Sequence, residues 1–97
     1  MARIEQYEAT IYRCGSESGS WWAAEPECAA QFPGTMHERR FSGRVLIIPS
    51  SKQRHLGRLD ADHHERLCRI LDRAIYQHSV GAVLLEGWDY GTDCLYL

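Results

Sequence analysis

The sequence predicts an α+β fold, a single antiparallel β-sheet of about five strands with one amphipathic helix, over about residues 61–79, packed on one face. Three observations predict it. Apolar and polar residues alternate near the N-terminus, a continuous aliphatic run stands mid-chain, and one sustained i, i+3, i+4 apolar pattern lies between 61 and 79. The 97 residues suit a single domain spanning 1–97. With 44% hydrophobic and 25% charged residues, the chain can build a core without metal or disulfide staples.

Tyr7, Ala9 and Ile11 alternate with Glu8, Thr10 and Tyr12, which places a half-buried strand over 4–13. The Gly15–Ser20 stretch is turn chemistry, and Trp21–Ala24 reads as a second strand, so residues 4–24 predict a hairpin. Successive residues of a strand face opposite ways, so only one of Trp21 and Trp22 can enter the core. Pro26, Pro33 and Gly34 interrupt residues 25–43, where Cys28–Phe32 is the stretch that reads as a short edge strand. Arg44–Ile48 is a strand buried on both faces, and Pro49 ends it. Ser50–Leu59 is a polar, basic loop.

Leu67, Ile70, Leu71, Ala74 and Ile75 form the apolar stripe of the helix, while Arg66, Arg69 and Arg73 fall on its outward side. Asp62 and Glu65 fit a capping box, with Asp60 the alternative cap, and Gly81 is the expected stop. Ala82–Glu86 and Thr92–Leu97 read as two strands joined by a glycine-bounded loop, Gly87–Gly91.

Charge is segregated. Residues 37–58 carry Arg39, Arg40, Arg44, Lys52, Arg54 and Arg58 against Glu38 alone, while both flanks are acidic and the whole chain is −2. A basic middle between acidic ends points to a charged partner. The cations precede and follow one strand, so they need not form one patch. Trp88 and Tyr90 stand in the glycine-bounded loop, and Trp and Tyr are favoured anchors at interfaces. The expected partner-binding residues are therefore Arg39, Arg40, Arg44, Lys52, Arg54, Arg58, Trp88 and Tyr90. A small non-enzymatic protein that docks on a larger protein accounts for them. The alternative is a nucleic-acid-binding module using the basic 39–58 segment, against which a pI near 6.2 weighs. In a third version the acidic flanks make the contact through Glu17, Glu25 and Glu27.

Four cysteines, at 14, 28, 68 and 94, include no Cys-x-x-Cys pair, and the expectation is free thiols. His64 and Cys68 lie one helical turn apart, which leaves a small thiol or metal-dependent enzyme as a second alternative. No phosphate-binding glycine loop and no Ser-x-x-Lys spacing is present, and neither a cofactor nor a metal is expected. The opening residues lack a signal-peptide pattern, and the longest apolar runs, Val45–Ile48 and Ala82–Leu85, are too short to span a bilayer. The expected location is cytoplasmic, and edge strands leave room for a homodimer.

Tyr7-Glu8-Ala9-Thr10-Ile11-Tyr12, with Trp22-Ala23-Ala24-Glu25-Pro26, resembles the opening hairpin of HicB-type antitoxins. The likeness covers that hairpin alone, because the helix comes later here, behind an extra strand. No function is carried over from it. In size and character the chain is similar to many small inhibitors of the phage and mobile-element type.

Overall fold

The computed structural model describes residues 2–56, 61–89 and 91–97, with the backbone alone at 54–56, 61–63 and 89. In chain order the elements are β1 (Arg3–Cys14), β2 (Trp21–Ala23), α1 (Pro26–Ala29) and β3 (Met36–Ile48). A 3-10 helix (Ser50–Leu56), α2 (Ala61–His78), β4 (Ala82–Asp89) and β5 (Thr92–Tyr96) follow. Strands run in the order β1-β2-β5-β4-β3, and β3 pairs with β1 to close a barrel.

Five strands and one long helix are present, but the sheet is neither open nor wholly antiparallel. β3 and β4 are parallel, in register from Val45↔Ala82 to Ile48↔Leu85, while the other neighbours are antiparallel. The cause is the connection. Chain leaving β3 returns through the 3-10 segment and α2, and a helical crossover brings the next strand back in the same direction. Gln53 braces this parallel pair: its amide donates to the Ile48 carbonyl at 3.0 Å and to the Glu86 carbonyl at 2.8 Å.

Strand alternation divides the apolar residues into two cores on opposite faces of the same wall. Ile11, Trp22, Phe41, Val45, Ile47, Ala82, Leu84 and Leu95 fill the barrel. Leu46, Val83, Leu85 and Tyr96 face outward, where Leu67 and Leu71 of α2 cover them. This explains why Val45–Ile47 is buried without a break. The two tryptophans divide as alternation requires, Trp22 in the barrel and Trp21 in the outer core.

Four local expectations are corrected. The 4–24 hairpin is a minor contact, because β1 and β2 meet only at Tyr12↔Ala23. The main partner of β1 is β3, from Arg3↔Ile47 to Cys14↔Met36. The Cys28–Phe32 edge strand is instead the short helix α1, which Pro26 opens; proline's fixed φ and missing N–H suit a first turn. Cys28 and Ala29 then pack on Ala23 and Tyr12, and the Cys28 thiol donates to Thr92 Oγ1 at 3.0 Å.

Ser79, not Gly81, ends α2. It takes a left-handed φ of 52°, and the Val80 N–H donates back to the Ile75 carbonyl at 3.3 Å. Gly81 is used to start β4: its N–H donates to the Arg44 carbonyl at 2.8 Å, beside the Phe41 ring. Asp60 lies outside the described residues, as does the side chain of Asp62, so the expected cap of α2 falls there too. The expected 87–91 loop is mostly strand. β4 runs to Asp89 with a register shift, where Gly87 has φ 65° and donates its N–H to Asp93 Oδ1 at 2.9 Å. At the other end of the barrel two turns abut. Gly34 has φ 111°, and a Cβ there would stand 2.8 Å from Gly15 Cα, while Gly15 itself has φ 107°, so both positions need glycine.

Candidate functional site

Among the described residues, the predicted contact residues do not converge. Arg40 and Arg44 point outward from the β1–β3 ribbon, four positions apart and so about 13 Å along the strand. Arg40 meets Glu8 at 3.8 Å, and that carboxylate also accepts from the Ser42 hydroxyl at 3.0 Å. Both side chains are well exposed, so this pair contributes little. Arg44 is exposed and makes no ion pair among the described residues. Lys52 is exposed on the 3-10 helix, beyond the C-terminal end of β3. Only the backbone of Arg54 is described, and Arg58 and Tyr90 lie outside the described residues. Of the acidic candidates, Glu17 approaches His37 at 3.7 Å, while exposed Glu25 and Glu27 stand at the start of α1.

Arg39 belongs to the opposite face of β3, in register with Ile11. Its guanidinium carbon lies 5.9 Å from the centroid of the Trp22 ring, and no carboxylate among the described residues pairs with it. Trp22 also helps to wall a groove of about 510 Å³, open on one side. The end of β1 supplies Tyr12, Arg13 and Cys14, and β2 supplies Trp21, Trp22 and Ala23. Ala29, Phe32 and Pro33 form the opposite bank, and His64, Trp88 and Cys94 complete it. Phe32 is 58% exposed at this rim, a large apolar ring standing in water.

The floor is aromatic. Trp21 and Trp88 stack with centroids 6.5 Å apart and planes 16° from parallel. Tyr96 meets Trp21 edge-on at 5.0 Å, and the His64 ring lies 6.0 Å from Trp21. Trp88, expected in a loop, is a half-buried residue of β4 that helps to wall this groove. The indole N–H groups of Trp21 and Trp88 are buried without an acceptor among the described residues. Arg13 sets the first bank: its guanidinium donates to the carbonyls of Ser16 and Trp21, the latter at 2.9 Å. Gly19 makes room for it, since a Cβ there would overlap the guanidinium.

Sequence reasoning reached Trp88 and Arg39 but missed Phe32, Tyr12 and Trp21 as parts of one site. No local signal joins them, because the closure of β2 onto β1 and the turn after α1 bring them together.

His64 Nε2 and Cys68 Sγ stand 3.7 Å apart on α2. Among the described residues no group of three or more His, Cys, Asp or Glu side chains could hold a metal ion. No disulfide joins any two of the four cysteines. Tyr96, beside Cys68, donates its hydroxyl to Asp72 Oδ1 at 2.8 Å. Burial first, and the bond to Asp72 second, raise the pKa of this phenol above its ordinary value. The unfolded chain thus ionises more readily than the native one. The stabilisation is complete below about pH 10 and is lost as pH rises through the native pKa. Tyr96→Phe is expected to cost about 1 kcal/mol near neutral pH and to flatten the decline in stability at alkaline pH, both read by urea unfolding across pH.

No protein-family model, curated protein or solved structure matches this chain. No helix among the described residues is long and apolar enough to cross a membrane.

Proposed function

We propose that this chain is a small non-catalytic binding protein that docks on a larger protein, with the aromatic groove as the centre of contact. One observation supports this reading above the others. A guanidinium without a carboxylate partner among the described residues, Arg39, lies over a tryptophan of an open aromatic groove. Aromatic side chains and arginine at the edge of a desolvated pocket are the features that dominate interface energies. The occupant that fits is a partner segment with an aromatic or large aliphatic side chain for the groove and a carboxylate for Arg39. The charge pattern supports the same polarity, since Arg44 and Lys52 are also exposed and unpaired among the described residues. An inhibitor that covers a surface of its target would use such a site.

Selection of random peptides displayed on phage tests the reading. Enriched peptides are expected to carry a large apolar residue beside Asp or Glu. The Phe32→Ala, Arg39→Ala double variant is expected to bind them at least about tenfold more weakly, a loss of about 1.4 kcal/mol. Both side chains are exposed, so the fold should persist in that variant. Failure to enrich any motif, or enriched peptides that bind the double variant unchanged, would overturn it.

A further inference from the structure

We infer that the outward face of α2 is a second contact surface, fitted to an acidic α-helix of a protein partner. The inference is independent of the groove.

Arg66, Arg69 and Arg73 follow one another at steps of three and four residues, which aligns them on one side of the helix. All three are exposed, and none makes an ion pair among the described residues. Carboxylates are near in sequence, yet among the described residues none forms an ion pair with the row. Asp72 accepts the Tyr96 hydroxyl on the flank of α2 that meets β5. Glu65 stands four residues before Arg69, the spacing at which an acid and a base commonly pair, and no such pair forms. The row is a cationic stripe left open to solvent.

Its centre is apolar. Ile70 is 39% exposed, and with Ala74 and Gln77 it lies among the three arginines in a depression bounded by side chains of α2 alone. A small apolar floor rimmed by guanidiniums is suited to receive the ridge of another helix. The row extends about 10 Å along the axis, from Arg66 to Arg73. Acids at i, i+3 or i+4, and i+7 of a partner helix repeat that spacing, and each can take a charge-assisted bond from a guanidinium. A phosphate backbone would satisfy the same charges but would leave Ile70 uncovered. That point favours the helix.

Fluorescence anisotropy with defined probes tests the inference. One labelled peptide, three heptads long, carries Glu at i, i+3 and i+7 around a Leu-Ala stripe. A second peptide has Lys at those positions, and a DNA duplex is the third probe. The Glu peptide is expected to bind the full chain and to weaken as salt rises from about 50 to 300 mM. Arg69→Glu with Arg73→Glu is expected to weaken it at least tenfold and to reverse the preference in favour of the Lys peptide. Arg69→Gln with Arg73→Gln keeps the polarity of the surface and should show an intermediate loss, with helicity by circular dichroism unchanged in both variants. Equal binding of the Glu and Lys peptides to the wild-type chain would overturn the proposal, as would retention of the Glu peptide by the reversed variant. DNA bound more tightly than the Glu peptide, and lost in the same variant, would replace the acidic helix with nucleic acid.

Discussion

Trp22→Ala is expected to lower the free energy of unfolding by about 3–5 kcal/mol, the usual cost of removing a buried tryptophan. That is a large part of the roughly 5–15 kcal/mol that holds a small domain together. Trp22 is 3% exposed and belongs to the barrel core with Ile11, Phe41, Val45, Leu84 and Leu95. Three interactions go with it. The indole N–H donates to the Gly19 carbonyl at 2.9 Å, the ring receives the Arg39 cation, and its volume fills the barrel where β2 closes it. β2 is only three residues long and touches β1 at one pair. Few backbone bonds therefore remain to hold the closure once the side chain is gone. Urea unfolding followed by far-UV circular dichroism measures the loss. Trp22→Phe, which keeps an aromatic ring but removes the donor, should cost clearly less. A loss below about 1 kcal/mol for the alanine variant would mean that the barrel interior is not packed around this ring.

The helix and the buried mid-chain strand were readable because their signals are local. Leu67 and Leu71 repeat at helical spacing, and Val45–Ile47 is apolar without a break, so each segment declares its own burial. The first half of β3 was not readable. In Met36–Arg44 only Phe41 is buried, because this stretch leans on β1 alone and meets solvent on its outer face. Alternation cannot show in a strand with so little to bury. Closure was hidden for another reason. A parallel β3–β4 pair rests on contacts between segments separated by a whole helix, and no window of sequence contains both. The helix stop was misplaced because glycine is the usual left-handed residue, while here Ser79 takes that conformation and Gly81 is reserved for the close pass by Phe41.

The basic segment illustrates the same limit at the level of function. Its net charge is a property of sequence, but the direction of each charge is set by strand parity. Arg39 and Arg40 are neighbours in the chain and stand on opposite faces of β3, one toward the mouth of the barrel and one outward beside Glu8. A charge count over 37–58 adds them together. The fold gives them different environments, and of the two Arg39 falls over a tryptophan of the aromatic groove. Conversely, α2 has offsetting charges in sequence, yet the helical period gathers its three arginines into a stripe and leaves Asp72 tied to Tyr96 on another side.

Leu71→Ala tests whether the two cores are energetically separable. Leu71 is fully buried in the outer core, where it packs with Leu67, Val83 and Leu85. Its truncation is expected to cost about 2–5 kcal/mol, because α2 is held to the sheet by few large side chains and cannot easily collapse onto the space left. Among the described residues the barrel interior contains none from α2, so Ile11, Phe41 and Leu95 keep their neighbours. Native-state hydrogen exchange should therefore show the amides of α2 opening more readily than those of the β1–β3 ribbon, a sub-global opening that precedes global unfolding. Trp22→Ala should instead reduce the protection of both. If Leu71→Ala accelerated exchange equally in the ribbon and the helix, the two faces of the wall would form one cooperative unit, and the barrel could not be treated as a platform to which α2 is docked.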